Sequence, residues 1–219
     1  MPSRRKPTPE DLKAKAEFFR AYFDDFEDKI SFAASLYDQG RKDEAFILTS
    51  SYIEAMGTYL MSPGKGSREN FCHVLLQHGG EPNLELVHPR SLVRAMSGKG
   101  PAADKLAAKL ESLGPSVISE MRPIQDFIDN LANMLDEEEI ALLRQHVHLG
   151  TLASVAYKGF RSRFVHRGGG PKFISFDETS FSGGSAPELD FGTLMRALRR
   201  LVAHARSSSE PASTQFGQD

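Results

Sequence analysis

Residues 19–37 read FRAYFDDFEDKISFAASLY, and the spacing within this stretch decides the fold class. Phe19, Tyr22, Phe23, Phe26, Ile30, Ala33 and Tyr37 recur at steps of three and four, with Asp24, Asp25, Asp28 and Lys29 between them. Positions spaced in this way fall on one side of a 3.6-residue turn, so the segment reads as an amphipathic helix whose aromatic stripe faces a core. Gly40 closes it. A second helical pattern begins near Asp43, carries Ala45, Leu48, Tyr52, Ala55, Tyr59 and Leu60, and breaks at Ser62-Pro63-Gly64. Only a few residues around Gly40 join the two, which makes them a helical hairpin.

Shorter helical segments follow at Ser67 to His78, Pro89 to Met96 and Ala102 to Leu113, each stopped by glycine or proline, and they read as inserted between the longer helices. Val117 to Leu135 resumes a strong stripe of Met121, Ile124, Phe127, Ile128, Leu131 and Leu135, with a kink expected at Pro123. Asp136 and Glu139 have the spacing of a capping box, from which Ile140, Leu143, Val147, Leu152, Val155 and Phe160 continue a helical pattern. Gly168-Gly169-Gly170-Pro171 cannot extend that helix. Lys172 to Asp177 alternates at period two, and Asp190 can cap a last helix bearing Phe191, Leu194, Leu198, Leu201 and Val202. The expectation is an all-α helical bundle with short inserted helices and a small β-hairpin or strand near the C-terminal third. The helices that carry Phe26, Tyr52, Phe127 and Val155 are expected to pack together. Residues 1–9 read as a flexible N-terminus, 10–206 as a single helical domain and 207–219 as a disordered tail.

A chain of 219 residues can build one good-sized core, or a core with an inserted lobe. With 27 Lys and Arg against 29 Asp and Glu, the formal net charge of -2 carries no global nucleic-acid signature, so such a contact must come from local clusters. Cys72 is the only cysteine, which excludes an intramolecular disulfide and a cysteine-rich zinc site and fits a reducing compartment. The basic start, Met1 to Pro7, lacks an apolar signal core, and no run approaches the roughly 20 apolar residues of a membrane span. A cytoplasmic protein with no membrane partner is the expectation.

The chemistry-bearing stretch runs from Phe160 to Gly170, Phe160-Arg161-Ser162-Arg163-Phe164-Val165-His166-Arg167-Gly168-Gly169-Gly170, near the end of the penultimate helical pattern. The Arg161 guanidinium can hold phosphate oxygens through paired hydrogen bonds, and the His166 imidazole can move a proton near neutral pH. With Arg161-x4-His166 in an all-α setting, preceded by the helix Ser50-Ser51-Tyr52-Ile53-Glu54-Ala55-Met56, the chain resembles the HEPN superfamily (higher eukaryotes and prokaryotes nucleotide-binding) over roughly Asp43 to Arg206. The Arg/His motif is the diagnostic part. The resemblance implies a homodimeric endoribonuclease that needs neither metal nor cofactor, with Arg161 and His166 as catalytic residues meeting across a two-fold axis. Other members with this bundle are not catalytic. Ser162 stands where the family often carries a larger polar or charged group.

RNA supplies its own nucleophile in the 2′-hydroxyl, so cleavage needs a base for that proton, an acid for the leaving 5′-oxygen and positive charge on the phosphorane. His166 can be base or acid, and Arg161 can hold the phosphate. A five-residue step turns a regular helix by roughly 500°, leaving the two side chains about 140° apart, so they converge only if the helix unwinds or the arginine bends round. Arg163, Arg167, Ser162 and Glu54 are the candidate RNA-binding residues. The plainer readings are that Arg161 and His166 finish a helix C-terminus, where cations gain about 0.3–1 kcal/mol, and that Arg163, Arg167 and Glu54 are solvated. His146 and His148 stand two apart on a helix, which points them to different faces and away from a shared metal. Cys72 reads as a packed thiol. The sequence therefore supports an endoribonuclease, with stress or phage defence as its setting, and, from another class, a non-catalytic helical module that binds a protein partner or a nucleotide.

Overall fold

Thr8 and Asp11 exchange hydrogen bonds across the first turn of helix α1 (Pro9–Asp38): the Asp11 amide donates to Thr8 Oγ1 at 3.2 Å and the Thr8 amide to Asp11 Oδ2 at 2.8 Å. Two of the amides that a helix start leaves unpaired are thereby satisfied. The computed structural model describes residues 8–61, 67–114, 120–158 and 189–209. At the far end of α1 the chain reverses through Gly40, whose φ of 79° is open to glycine at little cost, into α2 (Lys42–Leu60). Ring pairs fix the relation of the two helices, because Tyr22 meets Tyr59, Phe26 meets Tyr52 and Tyr37 meets Phe46. Descending numbers against ascending ones mean that α2 runs antiparallel to α1, the hairpin expected from the sequence.

The last described helix, α9 (Phe191–Ser209), lies in the groove between these two. Phe191 stacks on Tyr37 with centroids 4.2 Å apart and meets Phe46 edge-on at 5.1 Å. At the other end Arg206 reaches Asp24 at 2.8 Å, and Ser209 Oγ lies 2.6 Å from the Tyr59 hydroxyl. Asp190 caps α9 as its sequence suggests, accepting the Thr193 amide at 3.0 Å. Helix α3 (Ser67–His78) completes this first core by packing on α2 and α9. The expectation that α3 belongs with the inserted helices is thus corrected, since Phe71, Val74 and Leu75 bury themselves in the main bundle.

After α3 a 3-10 turn (Pro82–Glu85) and strand β1 (Leu86–Val87) lead out of the first core into a second one. It consists of α4 (Pro89–Met96), α5 (Pro101–Ser112), α6 (Ile124–Leu131), α7 (Glu137–His146) and a 3-10 turn (Val147–Gly150), around Leu92, Met96, Leu106, Phe127, Leu131 and Leu143. Strand β2 (Arg122–Pro123) pairs antiparallel with β1, Leu86 opposite Pro123 and Val87 opposite Arg122. Val87 also bridges Thr151, and the His88 amide donates to the Gly150 carbonyl at 2.9 Å. The chain returns there to the first core through α8 (Leu152–Ala156). The arrangement is a core with an inserted lobe, and among the described residues the fold is all-α apart from this two-stranded antiparallel sheet and the Val87–Thr151 bridge.

Several boundaries differ from the sequence reading. The stripe around Phe127 is not one long helix: Pro123 sits in a strand and precedes α6, whose first residue is Ile124. Phe127 packs in the second core, whereas Phe26, Tyr52 and Val155 belong to the first. The Asp136–Glu139 capping box forms as expected, but the helix it opens stops at His146, and the chain reaches α8 only after the 3-10 turn. The buried face of α2 is Ala45, Phe46, Thr49, Ile53, Met56 and Gly57, which leaves Ala55 and Tyr59 exposed. The β element expected at Lys172 to Asp177 lies outside the described residues. No helix among the described residues is long and apolar enough to cross a membrane.

At Gly57 α2 lies close against α3, since a Cβ added there would stand 3.0 Å from the Asn70 carbonyl oxygen. In an isolated helix Gly57→Ala would gain about 1 kcal/mol. Here the obstacle is backbone, which cannot rotate away, so the two helices must separate. We expect a net loss of about 1–3 kcal/mol in urea unfolding. A more stable variant would mean that α2 and α3 do not meet at this point.

His88 supplies a pH-dependent element. It caps α4, its Nδ1 accepting the Ser91 amide at 3.2 Å, and the side chain is 7% exposed. Burial, reinforced by Arg90 and Arg94, lowers its pKa from 6.5 to about 4. As pH falls, the unfolded chain takes up this proton first, so the contribution is complete above about pH 6.5 and is lost as pH falls toward about 4. The loss is at most on the order of 3 kcal/mol. His88→Asn keeps a capping oxygen and does not titrate. Denaturation curves of the two proteins should therefore diverge between pH 6.5 and 4, with the wild type losing more; parallel curves would exclude a buried neutral His88.

Candidate functional site

Ser154 organises the seam at which the inserted lobe rejoins the first core. Thr151 caps α8 by accepting the Ser154 amide on its Oγ1 at 3.3 Å, which sets the first turn of that helix. The Ser154 side chain, 1% exposed, then accepts from Arg68 Nη2 of α3 at 2.7 Å. Phe71, one turn further along α3, meets Tyr157 edge-on with centroids 5.3 Å apart. A serine hydroxyl in this setting would be costly without a partner, and Arg68 is that partner. Cys72 lies four residues after Arg68, on the same side of α3, and is buried. Burial pushes the thiol up to about 11, outweighing the pull of Arg68 and Lys158 in the other direction.

Positive charge gathers around Arg68. Tyr157 and Lys158 continue α8 as a wider turn, and Lys158 keeps an exposed surface. Protein packed around its ammonium, and then the charges of Arg68 and Lys99, hold it below the usual lysine range. His148, in the 3-10 turn before α8, is held below the usual imidazole range by burial and then by Arg68 and His146, with Glu69 opposing. The seam therefore draws cationic groups from α3, from the end of α8 and, through Lys99, from the α4–α5 loop, with the His148 imidazole beside them. No salt bridge between described residues involves Arg68, Lys99 or Lys158.

Of the residues singled out by sequence, Arg161, Ser162, Arg163, His166 and Arg167 lie outside the described residues. Glu54 lies half-buried on α2, beside the fully buried Ile53. In the same helix Ser50 is fully buried, and its Oγ has no hydrogen-bond partner among the described residues. His146 ends α7 and His148 lies in the following turn; among the described residues no group of three or more His, Cys, Asp or Glu is placed to hold a metal ion. Arg68 and Lys158 escaped the sequence reading. Arg68 was hidden by the assignment of its helix to the inserted set, whereas Lys158 had a signal in its place three residues before Arg161. No family model, no curated protein and no solved structure matches this chain.

The Cys72 environment predicts slow alkylation. Raising a thiol from its ordinary value near 9 to about 11 lowers the thiolate fraction at pH 8 by about 100-fold, and only the thiolate reacts. Iodoacetamide labelling followed by mass spectrometry should show native protein reacting at least about 100-fold more slowly than urea-unfolded protein. Equal rates would place Cys72 at the surface.

Proposed function

We propose that this chain is a HEPN-like endoribonuclease that acts as a homodimer and cleaves RNA through attack of the 2′-hydroxyl. The observation that carries the reading is the sequence pair Arg161-x4-His166, which begins three residues after Lys158. The all-α bundle is compatible with the resemblance, and the cationic seam beside Lys158 supplies an environment that attracts phosphate. Arg161 is assigned to the non-bridging phosphate oxygens. One His166 removes the 2′-hydroxyl proton as that oxygen attacks phosphorus; the P–O5′ bond breaks, and the 5′-oxygen takes a proton from a second imidazole. A chain with one such histidine needs a second copy for that step, and this need is the reason for the homodimer. Arg163, Arg167, Ser162 and Glu54 are assigned to RNA contact, and the resemblance assigns neither metal nor cofactor to the reaction. We assign the protein to the cytoplasm, in a setting of stress or phage defence; a lone, buried Cys72 is compatible with a reducing compartment.

Incubation of purified protein with labelled RNA in the presence of a chelator tests this. The wild type should release products with 2′,3′-cyclic phosphate ends. His166→Ala should cut about 10²–10⁴-fold more slowly while keeping its circular dichroism spectrum, and Arg161→Lys should restore little because an ammonium lacks the paired fork. Intact RNA, or equal cleavage without His166, would leave the non-catalytic binding module as the function.

A further inference from the structure

We propose that the seam formed by Arg68 and Lys158, with Lys99 beside them, binds a phosphate group of an RNA backbone, as a subsite separate from the reacting phosphate. The choice of RNA rests on the ribonuclease reading; the anion site does not. Elsewhere on the described fold, arginines that cross between elements find carboxylates: Arg196 and Arg200 share Glu81, and Arg206 meets Asp24. Arg68 has a neutral partner instead. Its bond to the buried Ser154 fixes the guanidinium while leaving its charge uncompensated, so that donors remain on a fork held in place. An arginine free in solvent would have to lose rotamer freedom before holding an anion; Arg68 has already lost much of it.

The neighbours select for negative charge. Lys158 follows Ser154, the partner of Arg68, by four residues on α8, and it feels the charges of Arg68 on α3 and of Lys99 in the inserted lobe, so like charges from two lobes meet at Lys158. Such a juxtaposition opposes folding unless an anion relieves it, and like-charge clusters of this kind are characteristic of anion-binding surfaces. A phosphodiester suits these groups, because its two non-bridging oxygens can take the arginine fork while one of them also accepts from an ammonium. A polyanionic strand adds further phosphates for groups nearby, whereas a free phosphate ion would use this seam alone.

Fluorescence anisotropy with a short 2′-O-methyl RNA, which lacks the attacking hydroxyl, separates this inference from the cleavage reaction. The wild type and His166→Ala should bind alike. Lys158→Gln and Lys99→Gln, both at exposed positions, should each weaken binding about 5–10-fold and flatten the dependence of log K on log salt by about 0.7, the loss of one phosphate contact on a single strand. In phosphate-free buffer Lys158→Gln should melt no lower than the wild type, because the residue removed is repelled by its neighbours. Lower melting of this variant would assign Lys158 a structural role and overturn the site. Unchanged RNA affinity in both lysine variants would overturn it too, whatever the cleavage assay shows. Loss of affinity in the lysine variants with no cleavage by any protein would uphold the site and remove the nuclease. Binding of millimolar inorganic phosphate without binding of the oligonucleotide would overturn the assignment to RNA.

Discussion

The main-chain contacts of Val87 and His88 with Gly150 and Thr151 are the constraint on which the rest of the molecule depends. Val87 faces Arg122 on one side and Thr151 on the other, and the His88 amide reaches the Gly150 carbonyl. These few bonds bring the exit and the re-entry of a whole lobe to one place. Thr151, held there, is also the cap of α8, so the crossing sets where that helix starts and hence where Ser154, Tyr157 and Lys158 fall against α3. A five-residue helix has little stability of its own, and its position must come from its ends and its packing.

The charge gathered at the α3–α8 seam has to be outweighed by something, and packing suffices. Leu152, Ala153, Val155 and Ala156 are all buried, and one fully buried leucine alone contributes about 1.5–3 kcal/mol. The apolar side of α8 thus holds its cationic end in place. Cys72 is buried in the same first core.

Features written in neighbouring residues were legible in the sequence. The α1 stripe, Gly40 after it, the Asp136–Glu139 box and the Asp190 cap each depend on residues a few positions apart, and each forms as read. Periodicity reports that a face is buried without naming the surface that covers it, which is why Phe127 was grouped with Phe26 although they lie in different cores. At Pro123 a local signal existed and was underweighted: the residue before a proline is steered toward extended backbone, and Arg122 is in a strand. The seam was the least legible part. Arg68, Lys99 and Lys158 come together only because the second lobe folds back at Thr151, whereas the Arg161–His166 spacing can be read along the chain alone.

The pairing of residues 87 and 151 has a consequence for the order of folding. Helix α9 must find α1 and α2 across a long separation; the Tyr59–Ser209 contact spans 150 residues. Contacts between distant residues slow folding, because the intervening chain loses entropy before any packing rewards it. Once the lobe between Val87 and Thr151 has closed, it no longer counts as slack, and the effective loop between α2 and α9 shrinks to roughly half. Halving a loop recovers only about 0.6 kcal/mol at equilibrium. The larger effect is on the route: a lobe built from contacts near in sequence can form first and deliver the two ends of the outer core to each other.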